Sequence, residues 1–70
     1  MIRIRLNEQL ARRRLSIVEL SDRTGISVRN LETLREQKAV AIRFKTLDTL
    51  CRALRCQPQD LIEWQEAAED

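Results

Sequence analysis

Histidine and tyrosine are absent from this 70-residue chain, glycine occurs once, and there are two cysteines. A nucleophile therefore has no imidazole base beside it, and no glycine-rich loop is available to cradle a phosphate. Cys51 and Cys56 have neither a second Cys–x–x–Cys pair nor a histidine near them, so a zinc site is not expected. Both read as small core residues, reduced as in a cytoplasmic protein. Carboxylates pair only where surface salt bridging explains them. These features argue against an enzyme, and no cofactor or metal is expected. What remains is the chemistry of fixed positive charge and hydrogen-bond donors, which suits a polyanion.

The distribution of that charge is uneven. Residues 1–14 carry a net +4, residues 15–38 carry 0, residues 39–55 carry +3 and residues 56–70 carry −5. Two basic blocks flank a neutral centre and an acidic end follows, so a folded domain can turn one positive face toward a polyanion. No apolar run approaches the ~20 residues of a membrane span. Met1–Leu6 alternates Ile with Arg and lacks the apolar run of a signal peptide.

The elements that must position such donors centre on Ser16–Arg35, SIVELSDRTGISVRNLETLR. Ser16 with Glu19 three residues later forms a capping box, and Leu15 and Leu20 occupy the hydrophobic-staple positions around it. Ser27 caps a second helix, with Ile26 and Leu31 as its staple. Gly25 stands just past Thr24, where a left-handed C-terminal cap is needed. Two capped helices across one glycine are the signature of a helix-turn-helix.

The remaining elements follow from periodicity. Helix 1 is expected from Leu6 or Asn7 to Arg14, with Leu6, Leu10 and Ala11 inward and an Arg12–Arg14 cluster at its C-terminus. Helix 2 covers Ile17–Thr24, helix 3 Val28–Glu36, and Glu36–Lys38 forms a polar loop. Helix 4, from Phe44 or Thr46 to Arg55, has an apolar stripe of Leu47, Leu50, Cys51 and Leu54. Pro58 opens helix 5, which should run to about Trp64, burying Leu61 and part of Trp64. Ile2, Ile4 and Leu6 alternate with Arg3 and Arg5, and Val40, Ile42 and Phe44 repeat that period of two. The expectation is a short two-stranded ribbon pairing residues 2–5 with 40–43, within one chain or across a dimer. The competing reading is that Met1–Leu6 is merely extended or begins helix 1. Residues 1–64 then form one all-α, five-helix domain, and 65–70 an acidic, frayed tail.

The spacing Leu20, Ser21, Thr24-Gly25-Ile26-Ser27, Leu31, Leu34 resembles the helix-turn-helix of the Xre/Cro/phage-repressor type. Thr46–Trp64, TLDTLCRALRCQPQDLIEW, resembles the last two helices of short stand-alone members of that family. Together the matches cover about Leu6–Trp64. The resemblance implies a repressor-like domain that binds double-stranded DNA and regulates transcription, usually as a homodimer in the bacterial or phage-type cytoplasm, on the nucleoid when DNA-bound.

In such motifs the second helix enters the major groove by its N-terminal residues while the first crosses the backbone. By family position the base-contacting residues are Val28, Arg29 and Thr33, with Glu32 beside them. The Arg29 guanidinium can take guanine O6 and N7 together. Thr33 can hydrogen-bond or place its methyl on thymine, whereas Val28 offers only an apolar contact. Glu32 can accept from cytosine N4, or pair within the helix with Arg29 or Arg35. The backbone-contacting set is Ile17, Ser27, Asn30, Lys38, Arg43 and Lys45, helped by the N-termini of helices 2 and 3. Asn30 can instead reach adenine or support the helix's first turn. Arg12–Arg14 offers either phosphate contacts or a solvated face.

Three positions depart from the family pattern. Ile17 replaces a phosphate-binding Gln, Val28 stands where Arg or Gln is frequent, and Glu32 where a small polar residue is usual. They support an alternative function, a helix-turn-helix fold used as a protein-interaction module, antitoxin-like or a co-regulator, with Ile17 and Val28 in an apolar docking patch.

Overall fold

The computed structural model describes residues 1–66. Five helices and one two-stranded sheet follow each other as β1 (Ile2–Ile4), α1 (Leu6–Arg13), α2 (Ile17–Thr24), α3 (Val28–Arg35), α4 (Phe44–Leu54), α5 (Pro58–Leu61) and β2 (Ile62–Trp64). The helix boundaries match the capping signals because those signals are made. Ser16 Oγ accepts from Glu19 N–H at 3.0 Å, and the Glu19 carboxylate accepts from Ser16 N–H at 3.1 Å. Ser27 Oγ accepts from Asn30 N–H at 3.1 Å. Gly25 has φ +76°, the left-handed cap that ends α2.

Nine leucines form the core: Leu6, Leu10, Leu15, Leu20, Leu31, Leu34, Leu50, Leu54 and Leu61. Every helix contributes at least one, so a single layer of branched side chains joins all five. Ala11 is exposed, and Gln9 is the α1 residue that turns inward, with 2% of its surface exposed. Its burial is tolerated because its amide is satisfied. Gln9 Nε2 donates to the Asp60 carbonyl at 3.1 Å, and its Oε1 accepts from Arg13. Arg13 Nε in turn donates to the Leu54 carbonyl at 2.7 Å, closing the C-terminus of α4. Arg13 is thus committed to structure, and the basic cluster reduces to Arg12 and Arg14. Cys51 and Cys56 are free thiols at the core margin, only partly buried. Burial, followed by the nearby Cys51, pushes the Cys56 thiol above its ordinary value.

The ribbon exists, but its second strand is not 40–43. β1 pairs antiparallel with β2, in the register Ile2 opposite Trp64, Arg3 opposite Glu63 and Ile4 opposite Ile62. Two facts decide this. The chain leaves α5 at Ile62 with φ −131° and ψ 132°, so helix 5 stops at Leu61 and does not reach Trp64. Ile62 and Trp64 then alternate around Glu63, the same period of two as in β1. The other edge of β1 is occupied by a side chain: Gln37 Oε1 accepts from Ile4 N–H at 2.8 Å and Gln37 Nε2 donates to Ile4 C=O at 2.7 Å. That amide replaces the ladder expected from 40–43. Within 40–43, Ile42 packs against the core and Val40 is fully exposed. Trp64, expected to be partly buried, is 70% exposed. Of the acidic tail, 67–70 lies outside the described residues.

The polar face of the ribbon is internally paired. Arg5 Nε meets Glu8 at 2.7 Å, Arg3 reaches Glu8 at 3.3 Å and Arg5 reaches Glu63 at 3.7 Å. The hydrogen bond from Arg5 outweighs the opposing effect of burial and, with the charges of Arg5 and Arg3, holds Glu8 below the usual carboxylate range. Glu19 is lowered by its bonds to the Ser16 backbone and side chain.

Both carboxylates are depressed in the folded state, so their stabilisation is complete above the ordinary carboxylate pKa and is lost as pH falls through the folded values. The urea midpoint should therefore fall on acidification, and Glu19→Gln, which keeps an acceptor without titrating, should flatten part of that fall. Nothing lies within 4 Å of a β-carbon added at Gly25. Gly25→Ala should therefore cost only its left-handed strain, about 1–2 kcal/mol in a denaturation curve.

Candidate nucleic-acid interface

The angle between α2 and α3 is set by a turn whose side-chain hydroxyls and Gly25 N–H are engaged. Gly25 N–H donates to Ser21 C=O at 2.8 Å, and Ser21 Oγ donates to Ile26 C=O at 2.6 Å. Thr24 Oγ1 donates to Leu20 C=O at 2.7 Å and accepts from Ile26 N–H at 3.2 Å. Beneath the turn, Leu20 and Leu31 have no exposed surface. Sequence reading noted the small Ser21 but not the bond it makes, nor the double role of Thr24. A hydroxyl at each of those positions was the available signal, and hydroxyls fold back on a nearby backbone for many reasons.

The two helix N-termini differ electrostatically. That of α2 already holds the Glu19 carboxylate, whereas α3 has no acidic residue in its first turn. Of the first-turn amides in α3, Asn30 N–H is taken by Ser27 and Leu31 N–H by the Ser27 carbonyl. The Val28 and Arg29 N–H groups remain at the positive end of the helix, aimed where an anion is favoured. The Ser27 hydroxyl, accepting from Asn30, can still donate its own hydrogen.

Along α3 the side chains divide by what already holds them. Arg29 is exposed and its guanidinium has no hydrogen bond or ion pair among the described residues. Thr33 Oγ1 donates to the Arg29 carbonyl at 2.9 Å, which leaves its lone pairs and its methyl for a partner. Glu32 faces Arg35 at 3.9 Å, one turn along the helix. Val28 is half-buried, as is Ile17, which packs against the leucine core. Ile17 therefore offers a backbone N–H at the start of α2 and no free side chain.

Between α3 and the segment 38–46 lies a hollow of about 520 Å³ whose polar lining is Asn30, Thr33, Lys38, Arg43 and Thr46 and whose apolar lining includes Ile26, Leu34, Val40 and Ile42. The fold thus gathers four of the sequence-derived residues in one concave surface. Arg29 and Val28 lie on the same helix outside that lining, and Lys45 is exposed in the first turn of α4. Lys38 is shared with Glu36 at 3.4 Å, an exposed pair of small energetic weight. Thr46 was not anticipated, because only the return of the chain from α3 to α4 brings it to this surface.

The family model of the Cro/C1-type helix-turn-helix DNA-binding domain matches residues 5–67. The chain belongs to that family. It is therefore a DNA-binding domain. The chain is also similar to a Bacillus subtilis (strain 168) protein, described as the uncharacterized HTH-type transcriptional regulator YozG. The two are 48% identical over 61 residues, covering 87% of this chain and 73% of the relative. Among the described residues, no helix of this Cro/C1-type domain is long and apolar enough to cross a membrane.

Two substitutions test whether Arg29 reads bases and Arg43 positions phosphates. Arg29→Ala should cost about 1–3 kcal/mol of binding to a specific site and relax the preference at one base pair, with an unchanged circular dichroism spectrum. Arg43→Ala should instead weaken binding to all duplexes alike and lower the slope of log affinity against log salt by about 1.

Proposed function

We propose that this protein is a transcriptional regulator that binds a near-palindromic operator as a homodimer and represses by occupying it. The observation that carries the reading is the state of α3: an unpaired Arg29 at an acid-free helix N-terminus, beside a hollow holding Asn30, Thr33, Lys38 and Arg43. Arg29 and Thr33 read base edges, with Val28 in apolar contact. Glu32, tied to Arg35, tempers the charge of the helix. Ser27, Asn30, Lys38, Arg43 and Lys45 hold the phosphates, joined by the backbone N–H of Ile17. The name of the Bacillus relative supports regulation of transcription as the purpose of the binding. The free thiols Cys51 and Cys56 fit a reducing, cytoplasmic setting.

The interaction-module alternative draws less support. It relies on Ile17 and Val28 as a docking patch, and Ile17 is packed against the core.

Selection of random duplex DNA by the purified protein, at two salt concentrations, tests the proposal. A symmetric site with half-sites about 34 Å apart, lost steeply as salt rises, is the expected result. Failure to enrich any motif, with only weak binding abolished by salt, overturns it.

A further inference from the structure

The face of the ribbon opposite the Arg3–Glu8–Arg5–Glu63 pairs bears no charged side chain; Ile4 and Ile62 pack its inner part on the leucine core, and its outer part, Ile2 and Trp64, is left exposed among the described residues. Ile2 is 60% exposed and stands directly across from Trp64, which is 70% exposed, so their side chains are neighbours on one face. Next to them runs a groove of about 210 Å³ lined by Ile2, Ile4, Ile42 and Ile62, with the fully exposed Val40 at its edge. None of the residues that line this groove is charged. We infer that this apolar face, centred on Ile2, Val40 and Trp64, is the surface on which a second copy of the chain docks about a twofold axis.

Three observations select that occupant. Two copies of a chain with net charge +2 repel each other, and this patch lets them meet without opposing like charges. Its size suits the task. A tryptophan hides about 150–250 Å² when buried, and with Ile2, Val40 and the groove the patch supplies several hundred of the about 800 Å² per partner of a standard interface. Contiguous apolar areas of that extent are often functional surfaces. Finally, the patch is linked to the recognition helix. Gln37, two residues beyond α3, holds Ile4 by two hydrogen bonds and also donates to the Arg35 carbonyl at 3.3 Å. A twofold contact through the ribbon therefore sets the distance between two α3 helices, which is the quantity a half-site spacing must match.

This inference rests on the homodimer reading, and the experiment separates the two. Sedimentation of the full chain gives the mass across a concentration series, and the fluorescence of Trp64, the sole tryptophan, reports its burial. The expected result is a dimer whose Trp64 emission shifts to the red on dilution. Val40→Glu and Trp64→Arg, both at exposed positions that leave the circular dichroism unchanged, should raise the dimer dissociation constant at least about tenfold. A dimer that persists in both variants, with the emission of the unsubstituted protein indifferent to dilution, overturns this surface and leaves the homodimer standing. A monomer at every concentration overturns both.

Discussion

The fully buried pair Leu20 and Leu31 underlies everything this domain presents to its surroundings. Each sits on one helix of the helix-turn-helix, and both belong to a single leucine cluster that also holds α1, α4 and α5. Burial by itself is non-directional and would allow α2 and α3 a range of angles. The turn removes that freedom. With Gly25 in the left-handed region and Ser21, Thr24 and Ile26 exchanging hydrogen bonds, only one crossing satisfies both the leucines and the backbone. The turn and the leucine pair together thereby fix how α3 is presented at the surface.

Charge follows the same division of labour. Carboxylates near the ribbon and at the start of α2 are engaged by arginines or by backbone N–H groups, and Arg13 is spent on the C-terminus of α4. Among the described residues, the basic side chains without such ties include Arg29, Arg43 and Lys45, on or beside α3, and also Arg12, Arg14, Arg23 and Arg55 elsewhere on the fold.

The ribbon resolves a problem of small size. A chain of 70 residues has little core to spare for holding its ends, and two isolated strands are marginal in water. Here the ribbon gains from the packing of Ile4 and Ile62 on the leucine cluster and from the Gln37 amide on its outer edge. The first and last parts of the domain are thereby joined to the end of α3. β1, β2 and the C-terminal end of α3 are thus tied together.

Local interactions were legible from the sequence. Ser16 with Glu19, Ser27, Gly25 and the spacing of Leu20, Leu31, Leu34, Leu50 and Leu54 located α2 and α3 to within a residue and the end of α4 likewise, with its start left open between Phe44 and Thr46. Caps and helical stripes act over three or four positions and need no knowledge of the rest of the fold. The same signals, with the family resemblance, pointed to α3 and to Arg29. What required tertiary structure was every choice between partners distant in the chain. Two segments shared the alternation of β1, residues 40–44 and 62–64, and period alone cannot rank them. The polar side chain of Gln37 took the edge that 40–43 was expected to fill, and Ile62 left the helix to supply the strand. The hollow that unites Asn30 and Thr33 with Lys38, Arg43 and Thr46 likewise exists only once α3 and α4 have packed. Periodicity identifies which residues must be buried or bonded, and only the closed fold determines what each of them meets.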